Sequence, residues 1–302
     1  MSPRSLKNIL PVWRNTTDSF CRKRGRTINQ RGKTLIEQRI HFIGGGQMAE
    51  AIIRAITANQ IIAAGRISVT DINEARLQVL TNAYGVDTGR SQETYLAEAG
   101  LIVLAVRPQD TLDELGQAVT RLAAPDAVIV SIVAGLTLEK LAGVFGAGRP
   151  IVRVIPNTLT DTGYGYSGVV LNANASREQV DEFLLGFGKV QYMEETFLDI
   201  FTGYGVAGPN YIYYFIESLV DAGVLAGLPR EQAWNVALEN MAGAVLMLRQ
   251  TGLHPRQLLD INNSPGGVGM HGLYELNNSD FAAGLQRSVM AAVKRTTELG
   301  AK

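Results

Sequence analysis

Three consecutive glycines, Gly44-Gly45-Gly46, stand between a short apolar run and a stretch of helical periodicity, and they constrain the fold of this chain more than any other feature. The run Arg39-Ile40-His41-Phe42-Ile43 is short and β-rich, and apolar residues recur at helical spacing from Gln47 to Ala58. Gly44, Gly46 and Ala49 therefore fall as G-x-G-x-x-A in a strand-to-helix turn. Gly44 permits the tight turn, Gly46 lets backbone approach a pyrophosphate, and Ala49 lets the helix lie close to the strand. Phosphates would then rest on the helix N-terminus at Gln47 and Met48. The spacing alone is weak, but strand, turn and helix around it point to a dinucleotide.

An acidic residue at the end of the next strand strengthens this. Asp71 closes Ile67-Ser68-Val69-Thr70-Asp71, 22 residues beyond Ala49, where a carboxylate can bind the adenosine ribose hydroxyls. A 2′-phosphate there would meet like charge, so Asp71 favours NADH over NADPH, with Arg76 able to offset part of the repulsion. A purely local reading makes Asp71 the cap of a helix starting near Asn73.

Apolar runs at Ile67 to Val69, Leu101 to Val106, Val128 to Ile132 and Ile151 to Ile155 alternate with helical segments, the pattern of buried parallel strands. The expected architecture is α/β, an N-terminal Rossmann-type doubly wound sheet over residues 39–194 followed by an all-α dimerisation and substrate domain over 195–302. Residues 208 to 250 carry long apolar helical stretches broken at Gly227-Leu228-Pro229. They are apolar on more faces than one neighbour can cover, which predicts a homodimer or a higher homo-oligomer. Tyr211, Tyr213 and Tyr214 fall in this segment and read as packing residues.

The charges balance, 28 basic against 28 acidic, so neither a nucleic-acid nor a membrane partner is expected. Residues 1–38 depart from this, with Arg4, Lys7, Arg14, Arg22, Lys23, Arg24, Arg26, Arg31 and Lys33 against Asp18 and Glu37. They read as a basic disordered extension, with an organellar presequence, a nucleic-acid arm or an overlong start as the other readings. Neither a signal-peptide layout nor a spanning apolar stretch is evident, and the expectation is a cytoplasmic protein. Cys21 is the single cysteine, and His41, His254 and His271 are scattered, so no metal site is expected.

Further segments carry a specific likeness. Leu104-Ala105-Val106-Arg107-Pro108-Gln109, Ser131-Ile132-Val133-Ala134-Gly135, Arg153-Val154-Ile155-Pro156-Asn157-Thr158, Gly208-Pro209-Asn210-Tyr211, Glu217-Ser218-Leu219-Val220-Asp221-Ala222-Gly223-Val224, Gly227-Leu228-Pro229-Arg230 and Ser264-Pro265-Gly266-Gly267 follow one another in the order and spacing of a known family. From about residue 39 to 300 the chain resembles the pyrroline-5-carboxylate reductases. The resemblance implies NAD(P)H-dependent reduction of the cyclic imine 1-pyrroline-5-carboxylate to L-proline. It places Ala105, Val106, Arg107 and Pro108 along the cofactor phosphate and ribose, with Arg107 standing for the family's lysine, and Asn157 near the nicotinamide. By local physics Pro156-Asn157 is also a common turn dipeptide.

Such a reaction needs hydride delivery, protonation of the ring nitrogen and a grip on the substrate carboxylate, and it rests mainly on orientation. Ser264, with the amides of Gly266 and Gly267, reads as an anion nest, and Ser264 is the catalytic candidate. Locally, Ser264 could instead cap a helix with Pro265 at its first position. Asn262, Gly269 and Asn210 complete the candidate substrate residues. Gly269 stands where the resemblance implies a threonine, Asn210 follows a segment that has lost small hydroxyls, and Ile261 replaces a common asparagine. These departures leave two alternatives open: a paralogue reducing another cyclic imine or keto acid, and a non-catalytic dinucleotide sensor. Hydroxyacid dehydrogenases would place a lysine acid on the interdomain helix, and Gly208 to Arg230 holds none.

Overall fold

The computed structural model describes residues 36–107 and 112–300. Its strands are β1 Arg39–Ile43, β2 Ile67–Thr70, β3 Asp87–Gly89, β4 Ala99–Leu104, β5 Val128–Ser131, β6 Ile151–Pro156, β7 Tyr166–Leu171 and β8 Lys189–Tyr192. The helices α1 Gln47–Ala58, α2 Glu74–Tyr84, α3 Glu93–Leu96, α4 Asp113–Leu122, α5 Leu138–Phe145 and α6 Arg177–Leu184 alternate with them. Then come α7 Leu198–Phe201, α8 Gly208–Leu225, α9 Arg230–Thr251, α10 Pro255–Asn262, α11 Val268–Asn278 and α12 Phe281–Gly300, with no further strand among the described residues.

The sheet order is β3-β2-β1-β4-β5-β6-β7-β8. Strands β1 to β6 are parallel, β7 runs antiparallel to β6, and β8 is parallel to β7. Leu101 and Val103 of β4 join Phe42, Val130 and Val152 on one face, with Ile52 of α1 and Phe183 of α6. Ile102 and Leu104 join Ile129 and Ile151 on the other, with Val119 of α4 and Phe145 of α5. Burial on both faces is why these strands read as unbroken apolar runs. Phe183 holds the first layer together, its ring centroid 6.3 Å from Phe42 and 5.2 Å from Phe187.

Three strands went unanticipated. Strand β3 is Asp87-Thr88-Gly89 and contains no large apolar residue, and β8 is a half-exposed edge, Lys189-Val190-Gln191-Tyr192. In β7 the apolar run shrinks to Val169-Val170-Leu171 behind Gly168. Ahead of β1, Ile36 is buried in the core and its N–H donates to the Ile61 carbonyl at 2.9 Å, so packing begins inside the segment assigned to the basic extension. The rest of that expectation, residues 1 to 35 with Cys21, lies outside the described residues.

The order reverses at β1, which has β2 on one side and β4 on the other. Chains leaving the carboxyl ends of β1 and β4 diverge there and open a crevice, the usual ligand position in a doubly wound sheet. In the helical part, α8 and α9 meet through Val220, Ala233 and Ala237. Much of their apolar surface stays uncovered, with Tyr214 78% and Leu225 91% exposed. No helix of the described residues is long and apolar enough to cross a membrane.

Candidate active site

The crevice begins with the glycine turn. Gly44 has φ +98°, and a Cβ there would lie 2.5 Å from the Ala105 carbonyl oxygen, so only glycine lets the turn sit against the end of β4. The Ala105 N–H donates to the Ile43 carbonyl and the Gly44 N–H to the Thr70 carbonyl, each at 2.8 Å, drawing the ends of β4, β1 and β2 together. Gly46 is exposed, and a Cβ on it would meet nothing within 4 Å. It caps α1 without a side-chain bond, and the first intrahelical bond is from the Glu50 N–H to the Gly46 carbonyl. The opening amides at Gln47 and Met48 thus lack helical acceptors at a helix N-terminus with open space before it, a cradle that fits a pyrophosphate.

Asp71 lies under this turn. One carboxylate oxygen accepts the Gly45 N–H at 2.7 Å and the other the Asn73 N–H at 2.8 Å. The side chain that caps α2 is Asn73, which accepts from the Arg76 N–H, so the purely local reading of Asp71 as helix cap does not hold. A carboxylate has about four acceptor directions, and the two used here leave room for ribose hydroxyls. Arg76 is committed elsewhere: its guanidinium donates to the Gly45 carbonyl and pairs with Glu50. Tyr84 also donates to Glu50, at 2.8 Å, and this bond, ahead of Arg76, holds the Glu50 carboxyl below its usual range. Glu50 and Tyr84 brace the turn, yet they went unnoticed in the sequence, where the pairs lie 26 and 34 residues apart and no local pattern joins them.

After β4, Ala105 and Val106 are half-buried and Arg107 is exposed at the crevice edge. Pro108 lies outside the described residues. Asn157, at the end of β6, is 5% exposed, and its side-chain oxygen accepts the N–H groups of Leu159 and Tyr166 at 3.2 and 3.1 Å. That oxygen holds the turn into β7, the role its local turn chemistry foretold.

In the helical part, Ser264-Pro265-Gly266-Gly267 forms a β-turn: the Gly267 N–H donates to the Ser264 carbonyl at 3.0 Å, with Gly266 at φ +67°. This corrects two expectations. Ser264 does not cap a helix, because α11 starts at Val268 with Gly267 as its cap, and Pro265 followed by a left-handed glycine closes a turn instead. The Gly267 amide is spent inside that turn, so the open donors of the nest are the first amides of α11, at Val268 and Gly269, beside the exposed Ser264 hydroxyl. Asn262 is exposed at the end of α10, and Asn210 is exposed in the first turn of α8. Among the described residues no hydrogen bond links the Ser264–Gly269 segment to the glycine turn or to Asn157 within one chain.

Two families match the two halves. Residues 39–135 match the family described as NADP oxidoreductase coenzyme F420-dependent, and residues 195–299 match pyrroline-5-carboxylate reductase dimerisation. Pyrroline-5-carboxylate reductase of Glycine max is 36% identical over 85% of this chain and 94% of its own length. The enzyme of that name from Escherichia coli is 30% identical over 87% of this chain and 99% of its own. A crystal structure of Plasmodium falciparum pyrroline carboxylate reductase with NADP bound aligns with TM-score 0.79 and 29% identity, covering 88% of this chain and 99% of that one. With a dinucleotide turn at the switch point of its sheet and these relatives along nearly its whole described length, the chain belongs to the pyrroline-5-carboxylate reductase family.

Proposed function

We propose that this chain reduces 1-pyrroline-5-carboxylate to L-proline with NAD(P)H as a homodimer, with NADH the preferred cofactor. The observation that carries the reading is the pairing, in one chain, of an open pyrophosphate cradle at Gly44–Met48 with a second set of unspent helix amides beside Ser264. When bound, the reduced nicotinamide supplies the hydride for the imine carbon. The chain holds the dinucleotide by the α1 amides and the crevice edge at Ala105 to Arg107, and Asp71 takes the ribose hydroxyls. Ser264 and the first amides of α11 hold the substrate carboxylate. The imine is basic enough to take its proton from water, so the site needs to orient its reactants more than to ionise, and orientation supplies roughly 7 kcal/mol or more.

Preference for NADH follows from the charges at the ribose. Asp71 would repel a 2′-phosphate, and Arg76, the nearby cation, is already neutralised by Glu50. The exposed apolar faces of α8 and α9 support the dimer, and dimer assembly completes the site by joining substrate segment and crevice.

The test is oxidation of NADH and NADPH by purified protein with pyrroline-5-carboxylate, next to other cyclic imines and 2-keto acids. Fast selective turnover of pyrroline-5-carboxylate is the expected result. Selective turnover of another compound would make the chain a paralogue, and cofactor binding without any turnover would make it a sensor. Ser264→Ala should raise KM about tenfold, the worth of a hydrogen bond to a charged group, with circular dichroism unchanged; unaltered kinetics would remove Ser264 from the site.

A further inference from the structure

Asn263 joins the end of α10 to the turn before α11, and its side chain is half-buried. Its Nδ2 donates to the Leu259 carbonyl at 2.7 Å, which fixes the orientation of the amide and turns Oδ1 the other way, onto the first turn of α11. A Cβ built on Gly269 would overlap that oxygen, so glycine at 269 is what leaves room for it. Among the described residues Oδ1 has no hydrogen-bond partner. The oxygen thus lies against Gly269, whose amide with that of Val268 opens α11, and the Ser264 hydroxyl stands against Gly267 at the same end of the helix.

These groups form a matched set. A cyclic imine bearing a carboxylate on the carbon next to nitrogen presents, once protonated, an anion and an N–H donor separated by two bonds. A site for that species needs donors for the carboxylate and, within a few ångströms, an acceptor for the N–H. The amides and Ser264 are the donors, and the unpartnered acceptor lying against the first turn of α11 is Asn263 Oδ1. We infer that Asn263 Oδ1 accepts the ring N–H of the protonated substrate, and that glycine at 269 leaves this oxygen the space that a side chain there would take. The inference deepens the proposed imine-reductase reading and rests on it. The amide oxygen takes no proton at any stage; it holds the protonated imine in place, and it serves equally the N–H of the reduced ring.

Two inhibitors isolate this bond: L-proline, and tetrahydrofuran-2-carboxylate of the same hand, which has the same ring and carboxylate but an oxygen where proline has N–H. In Asn263→Ala the inhibition constant of L-proline should rise about tenfold or more, while that of the furan analogue changes by less than about twofold. An equal loss for both compounds would mean that Asn263 only shapes the turn, and it would overturn the inference. If neither compound inhibits the wild type, the substrate reading itself fails and the inference with it. A second pair of variants covers the case in which Asn263→Ala does not fold. Gly269→Thr alone should lose activity by displacing the amide, and adding Asn263→Ser should recover about tenfold in kcat/KM by opening space for the new hydroxyl as acceptor; a double variant no better than the single one would also overturn the inference.

Discussion

At Asp71 one side chain carries a structural task and is proposed for a selective one. Its bonds to the Gly45 and Asn73 amides explain why a carboxylate at the end of β2 reaches the glycine turn at all, and the acceptor directions left over are those proposed for the ribose. Asp71→Ser keeps a hydroxyl acceptor but removes the charge, so the ratio of kcat/KM for NADPH to that for NADH should rise about tenfold or more, as expected for removing a like charge near a phosphate. An unchanged ratio would leave Asp71 a brace for the turn only. His41 is the opposite kind of residue, buried in β1 between the hydroxyls of Ser68, at 2.8 Å, and Thr70, at 3.3 Å. Burial, partly countered by a hydrogen bond to the Ser68 backbone, holds its imidazole down to about 4 from an ordinary 6.5. The unfolded chain therefore binds a proton that the folded chain refuses as pH falls from 6.5 towards 4, and stability is lost across that window. Above 6.5 His41 contributes no pH dependence, and by pH 4 the loss should reach roughly 3 kcal/mol. Urea unfolding at pH 7 and pH 4 should thus show a drop smaller by that amount in His41→Asn than in the wild type, and parallel drops would refute it.

Among the elements, legibility followed locality. Strand β1 and helix α1 were readable to the residue, because the apolar run, the glycines and the helical period are all written within twenty or so positions. Strands β3 and β8 were not, since they lie at the edges of the sheet and bury too little to need apolar residues. The Ser264 turn was misread because serine, proline and glycine suit a helix cap and a β-turn equally, and only the φ of Gly266 decides between them. In the crevice the glycines, Asp71 and Arg107 were legible from motif and position, whereas Glu50 and Tyr84 owe their role to contacts between distant segments. The joint between sheet and helices is another such contact. Arg153 of β6 is buried, its Nη1 is 2.5 Å from Glu195, and the same Glu195 oxygen accepts the Leu138 N–H that opens α5 at 2.7 Å. Arg153 Nε has no partner, so Glu195 is what compensates this buried cation. Glu195→Ala should cost roughly 3 kcal/mol, the low end for breaking a buried pair because Glu195 itself is partly solvated, and Glu195→Gln less, because it still accepts from Leu138. Equal unfolding midpoints for the wild type and both variants would show that solvent already neutralises Arg153.

At the scale of the molecule the two halves balance their apolar surface differently. The sheet buries its strands between helices on both faces, but α8 and α9 leave Tyr213, Tyr214, Val236, Leu246 and Met247 exposed, an area that no other part of the described chain covers. Exposed apolar side chains in this number favour association, since each large aliphatic side chain removed from water contributes roughly 2 kcal/mol. A second copy of the same chain supplies a complementary apolar face by symmetry, which is the simplest closed solution. Leu246→Asp would place a charge in that interface, where desolvation without a partner costs several kcal/mol, on both sides of a twofold axis at once. Analytical ultracentrifugation should therefore find the wild type as a dimer or larger and Leu246→Asp shifted to monomer, with turnover falling alongside assembly as the protein is diluted. A variant that stays assembled would move the interface to another face of the helices, and a monomer that keeps full turnover would show that substrate segment and crevice meet within one chain.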